Sequence, residues 1–238
     1  MLYLMKRDNL GKFQAGAPGS QLNCNDSNLV LHRVQATGGH IHGTPVFWSG
    51  PNNKSWVYVM GEGDNLKAFP FVGDRLKNPI HSAYRPARPA PVPCDGAVDN
   101  WMPGGILSVS SDQSKVGTGI VWALVPANGD ANSFRGVKGM LMAFNAENIG
   151  EELWRSQGAN PATDTANSLG LLARFAPSTV ANGKVFVGNA GDSEPLKRYG
   201  GFHGPEGPPP CGPRPTRFPA KSLWWSTDLN KPLRWLRR

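Results

Sequence analysis

Apolar residues along this chain come in short bursts divided by turn-forming residues, and many of the bursts follow a period of two. That is the period of a strand, whose successive side chains point to opposite faces. Ser55-Trp56-Val57-Tyr58-Val59-Met60 alternates and is rich in aromatic and β-branched residues, so it predicts a strand. Residues 44–48 predict the strand before it, with Pro45 near the start, where a missing N–H does least harm. Residues 65–69 predict a third strand and residues 71–76 a weak fourth. Farther on, Gly119-Ile120-Val121-Trp122-Ala123-Leu124-Val125 is apolar almost throughout, which predicts a strand buried on both faces. Residues 106–110, 138–144 and 152–156 predict its companions. At the N-terminus residues 2–5 predict a strand, 6–9 a turn and 10–13 the returning strand. Asn182-Gly183, between short strands at 178–180 and 184–188, is the strongest hairpin signal in the chain, because a tight two-residue turn needs positive φ at both positions.

The bursts fall into similar units. Leu66-Lys67-Ala68-Phe69 can be laid over Leu141-Met142-Ala143-Phe144, and each is followed by a turn and a Gly-acid-x-Leu run. Spaced self-similarity of this kind marks repeat folds. A meander of about four strands cannot bury both faces alone, and stacking such units around an axis gives a β-propeller of about 4 to 8 blades. At roughly 40–50 residues per blade, residues 1–197 hold about three to four. The expected fold is therefore all-β: a partial β-propeller of about three to four four-stranded antiparallel blades, followed by a disordered tail. The domains expected are 1–197, the blades of an incomplete ring, and 198–238, a Pro/Arg-rich tail. Residues 77–102 are Pro-rich without period and predict a long loop. A reading-frame shift in the source would produce the abrupt change of composition at the tail, and an opening strand at the first residue suggests a chain that begins inside a larger fold.

Composition narrows the function classes. The formal net charge is +8, but residues 198–238 hold 8 of the 25 Lys+Arg and 2 of the 17 Asp+Glu, so the body is nearly neutral. A basic face for nucleic acid is not supported, and no apolar run reaches the roughly 18 residues of a membrane span. The first eight residues place their charges after a short apolar stretch, the reverse of a signal peptide. Cys24, Cys94 and Cys211 are far apart and form no CxxC pair, which excludes a zinc knuckle or thioredoxin-type motif and leaves their disulfide state open. Gly-x-Ser-x-Gly, P-loop and His-Glu-x-x-His motifs are all absent.

Ala143-Phe144-Asn145-Ala146-Glu147-Asn148-Ile149-Gly150-Glu151-Glu152-Leu153-Trp154 resembles the tryptophan-containing repeat of pyrroloquinoline-quinone (PQQ)-like propellers, the quinoprotein alcohol dehydrogenase-like family. That repeat reads Ala-x-Asp-x-x-Thr-Gly-x-x-x-Trp, and here Asn145 stands for Asp and Ile149 for Thr. Residues 2–13 are similar to it, and the unit around Phe69 lacks the Trp. The resemblance covers residues 1–192 and implies an incomplete C-terminal portion of such a ring. It also implies an exported protein, periplasmic or extracellular, with PQQ and calcium as cofactors and the missing blades as partners. Trp154 would wedge between neighbouring sheets, since a buried indole removes roughly 150–250 Å² from water. Dehydrogenases of the family use adjacent cysteines, which this chain lacks.

His40-Ile41-His42 puts two imidazoles on one face of an extended segment, which suits a metal ion or a polar ligand; hydrogen bonding to neighbouring loops explains the pair equally. Glu62 and Asp64 lie in a Gly-rich turn expected to be solvated. Asp95, Asp99 and Trp101 lie in the long loop, where Asp99 and Trp101 are candidates for cofactor binding and an insertion covering the blade is the plainer account. Asn128-Gly129-Asp130-Ala131-Asn132 resembles a calcium loop in composition but has too few carboxylates, and a turn accounts for it. Two functions follow: a quinoprotein-like propeller related to oxidoreductases, or a non-catalytic propeller scaffold that binds protein or carbohydrate.

Overall fold

The computed structural model describes residues 1–8, 30–86, 101–127, 129–132, 137–156 and 169–190. Within them the chain is all-β, with thirteen strands in four antiparallel sheets and one short 3-10 turn at Pro51–Asn53. No helix there is long and apolar enough to cross a membrane.

Sheet I pairs β1 (Leu2–Met5) with β2 (Val30–Val34). Sheet II is the meander β3 (Val46–Ser49), β4 (Ser55–Val59), β5 (Lys67–Val72) and β6 (Arg75–Leu76), with β7 (Ile80–His81) also on β5. Sheet III is the meander β8 (Ile106–Ser110), β9 (Ile120–Pro126), β10 (Gly139–Asn145) and β11 (Glu152–Arg155). Sheet IV is the hairpin β12 (Thr179–Ala181) and β13 (Lys184–Phe186). Its turn carries Asn182 at φ 50° and Gly183 at φ 70°, the left-handed pair a tight hairpin requires.

Alternation decides which neighbour each side chain meets. Trp56, Tyr58 and Met60 of sheet II face Val121, Ala123, Met142 and Phe144 of sheet III in one buried cluster. The intervening Val57 and Val59, with Phe69, face Val34 and Leu2 of sheet I. In sheet III, Trp122, Leu124, Leu141 and Ala143 face Val185 and Val187 beyond. The inner strands of the two central sheets are thus covered on both faces, and β9 and β10, which have a packed neighbour on each side, are apolar nearly throughout. Trp154 of β11 is half-buried between sheets III and IV.

The first strands of successive sheets draw together at one edge: β3 approaches β8, and β8 approaches β12. Ser108 and Ser178 share a 2.7 Å hydrogen bond there. The Tyr58 hydroxyl donates to the Ala146 carbonyl (2.7 Å), and the Trp48 indole, stacked on Trp56 with centroids 5.3 Å apart, donates to Ser111 Oγ (3.1 Å). Gly119 makes this seat possible, because a Cβ there would lie 2.4 Å from the Trp48 ring.

Four details differ from expectation. Strand β5 runs on through Pro70 to Val72, because its outer neighbours divide around the proline: β7 pairs with Lys67 and Ala68, β6 with Phe71 and Val72. The ring therefore costs no ladder bond on that side. Within the Pro-rich stretch expected to be loop, residues 80–81 form β7. Strand β1 pairs with β2, a segment without a clear period; the return expected at 10–13 lies outside the described residues. The tail at 198–238 lies outside them too. The sheets have two to five strands, not four throughout.

Candidate functional site

Three connections meet at the edge where the first strands converge: the segment before β3, the turn after β4, and the segment before β8. The Glu62 N–H donates to the His40 carbonyl (3.0 Å), and the Gly105 N–H to the Met60 carbonyl (3.3 Å). Two glycines allow this approach. A Cβ on Gly39 would lie 2.8 Å from the Glu62 carbonyl, and one on Gly104 would lie 2.6 Å from the Gly61 carbonyl carbon. Gly104 also has φ +76°, which an L side chain rarely adopts. The segment before β3 is itself braced, with Thr37 Oγ1 donating to the Gly39 carbonyl (2.7 Å) and Gln35 to the Thr37 carbonyl (2.6 Å).

This packing buries Glu62, whose side chain is only 4% exposed, so the expectation of a solvated turn is corrected. Backbone on both sides removes water from a turn whose composition reads as surface. Each carboxylate oxygen then meets one imidazole: His42 Nε2 lies 2.7 Å from Oε1, and His40 Nδ1 lies 3.1 Å from Oε2. The His40 ring is 78% exposed and the His42 ring 27%. The two rings stand edge to face with centroids 5.8 Å apart. Phe175, from the segment before sheet IV, lies 5.7 Å from the His42 ring.

His40, His42 and Glu62 present donor atoms within 4.8 Å of one another, and among the described residues they are the one such group with three metal-capable side chains. Two imidazoles and one carboxylate suit a divalent transition metal, whereas calcium takes six to eight oxygens. The site therefore does not fit the calcium of the quinoproteins.

The other expected residues are placed elsewhere. Asp64 pairs with Lys67 (2.6 Å), whose ammonium also donates to the Ala36 carbonyl (2.8 Å), a structural tie between sheets I and II. Asp130 is buried and accepts the Asn132 N–H (2.7 Å), as in an ordinary Asx turn. Trp101 is buried at φ 53°, and among the described residues its indole N–H has no partner. Its carbonyl accepts the Gly104 N–H (2.8 Å), so its turn abuts the Glu62 turn through Gly104. Asp95, Asp99, Asn128, Cys24, Cys94 and Cys211 lie outside the described residues. Glu62 was placed in its turn by sequence but not linked to the histidines, and Phe175 carried no signal at all. No family model, curated protein or solved structure matches this chain.

Proposed function

We propose that this chain forms consecutive blades of a β-propeller of the quinoprotein-like type, related to oxidoreductases. The observation that carries this reading is the order of the sheets: among the described residues they stack in chain order, each central sheet packs its buried clusters against its neighbours in that order, and the first strands β3, β8 and β12 converge at one edge. A fan about an axis has that arrangement, and a two-layer sandwich does not. Equivalent positions also face the same way. Ala68 pairs with Tyr58 and points to the next sheet; Ala143 pairs with Trp122 and does the same. Phe69 and Phe144 both point to the preceding sheet. Tyr3 and Met5 of sheet I are exposed, on a face where a further blade would seat.

Function belongs to the site and not to the scaffold. The wide separation of Cys24, Cys94 and Cys211 and the nitrogen-rich donor set at Glu62 favour a second reading, a non-catalytic propeller that binds protein or carbohydrate. Titrating PQQ with calcium into the parent protein that carries the complete ring, followed by absorbance and thermal shift, separates the two. Saturable binding with a rise in Tm is the expected result for a quinoprotein. No binding overturns that reading and leaves the scaffold.

A further inference from the structure

We propose that His40, His42 and Glu62 form a binding site for one divalent transition-metal ion, with coordination positions left open to solvent or to a small oxygen-bearing ligand. The proposal goes beyond the propeller reading and stands whether or not a quinone binds.

The geometry argues for it in three ways. The donors already converge: the two imidazole nitrogens lie 3.1 and 2.7 Å from separate oxygens of one carboxylate. Ligands around a tetrahedral zinc ion with bonds of about 2.0–2.2 Å sit about 3.3 Å from one another. A small rotation of the exposed His40 ring, with a slight adjustment of His42, reaches that spacing. The carboxylate is also fixed in advance. Glu62 is buried, its backbone is bonded to His40, and Gly39 and Gly104 press against its turn, so little conformational entropy is lost on binding. Finally, the site has an open side and a wall. The His40 ring is 78% exposed, and Phe175 flanks the His42 ring. Three protein ligands with an open position are the arrangement in which zinc keeps a water, and two histidines with one carboxylate also hold ferrous iron.

The site's place in the fold adds a reason for it to bind something. Residues 40–42 lead into β3, Gly104 leads into β8 and Phe175 precedes β12, so connections to three successive first strands share one point. Connections that belong to different sheets thus supply the donors, the backbone that buries Glu62 and the Phe175 ring beside His42.

The test uses the full-length chain, stripped with chelator, with Cys24, Cys94 and Cys211 replaced by Ser so that thiolates do not contribute. Zn2+ is titrated by calorimetry, and Co2+ is followed through its d–d absorption. One equivalent is expected to bind, with a rise in Tm. His42→Ala and His40→Ala are each expected to weaken binding at least about tenfold and to remove the tetrahedral Co2+ signature. His40→Ala alters an exposed ring, so its fold is preserved and far-UV circular dichroism checks it. Glu62→Gln is the conservative third variant, keeping the shape while removing the charge. Absence of saturable binding, or binding unchanged in both histidine variants, overturns the proposal.

Discussion

Tyr58 and Tyr84 carry phenols at the boundary between sheets II and III. Burial pushes the Tyr58 phenol well above its ordinary value, and the nearby Glu147 charge adds to this. Burial likewise pushes Tyr84 up to about 12, with the Arg155 guanidinium pulling it down by less and Glu152 pushing it up. Arg155 lies over the Tyr84 ring, 5.5 Å from its centroid, and pairs with Glu152, whose hydrogen bond holds the guanidinium charged. A phenol that keeps its proton more tightly when folded contributes stability that is complete below the unfolded value of about 10. For Tyr84 that contribution is lost as pH rises from about 10 to 12, and for Tyr58 the loss begins at the same point and continues to higher pH, at up to about 1.4 kcal/mol per pH unit for each. Urea unfolding across this range is expected to show a falling midpoint, and the Tyr58→Phe, Tyr84→Phe double variant a shallower fall. An unchanged slope in that variant contradicts the burial argument. At neutral pH, Tyr58→Phe alone is expected to cost about 1–2 kcal/mol, because the Ala146 carbonyl loses its buried donor.

At the scale of the element, adjacent residues of one strand serve different interfaces. Leu141 faces sheet IV and Met142 faces sheet II, and both are buried. A sheet with one wet face would tolerate loss of one of the two. In this chain Leu141→Ala and Met142→Ala are each expected to cost about 2–5 kcal/mol in urea denaturation. Leu153→Ala, at a position 37% exposed on the outer strand, is expected to change stability by less than about 0.5 kcal/mol. If either core variant is as mild as Leu153→Ala, the two-sided covering of sheet III is wrong. Apart from β7, the strands of sheets II to IV were legible because period-two alternation, β-branched content and the Asn-Gly turn are local signals. Strand β2 was not, because Val30-Leu31-His32-Arg33-Val34 lacks alternation and takes its order from pairing with β1. His32 shows the same dependence, accepting the Leu76 N–H (3.1 Å) from sheet II.

At the largest scale, a stack in which, among the described residues, the buried clusters join successive sheets makes energetic coupling short-ranged. Val59 faces sheet I and Val185 faces sheet III, with sheets II and III between them. Val59→Ala and Val185→Ala are therefore expected to add within about 0.5 kcal/mol. Trp48→Phe and Ser111→Ala, which share one hydrogen bond across sheets II and III, are expected to depart from additivity by at least that much. A double-mutant cycle by chemical denaturation measures both pairs, and strong coupling between Val59 and Val185 would contradict the stack.

Sequence alone determined the all-β character, most strand positions and the two-sided burial of the strand at residues 119–125, since these follow from side-chain alternation and apolar content along a few residues. It also placed His40 and His42 on one face, because two residues of extended chain do so by geometry. Only the tertiary structure decided that Glu62 leaves solvent and bridges the two imidazoles. That outcome depends on backbone from Gly39 and Gly104 closing over one turn. Contacts between segments so far apart in the chain arise from sheet packing, and no short stretch of residues encodes them.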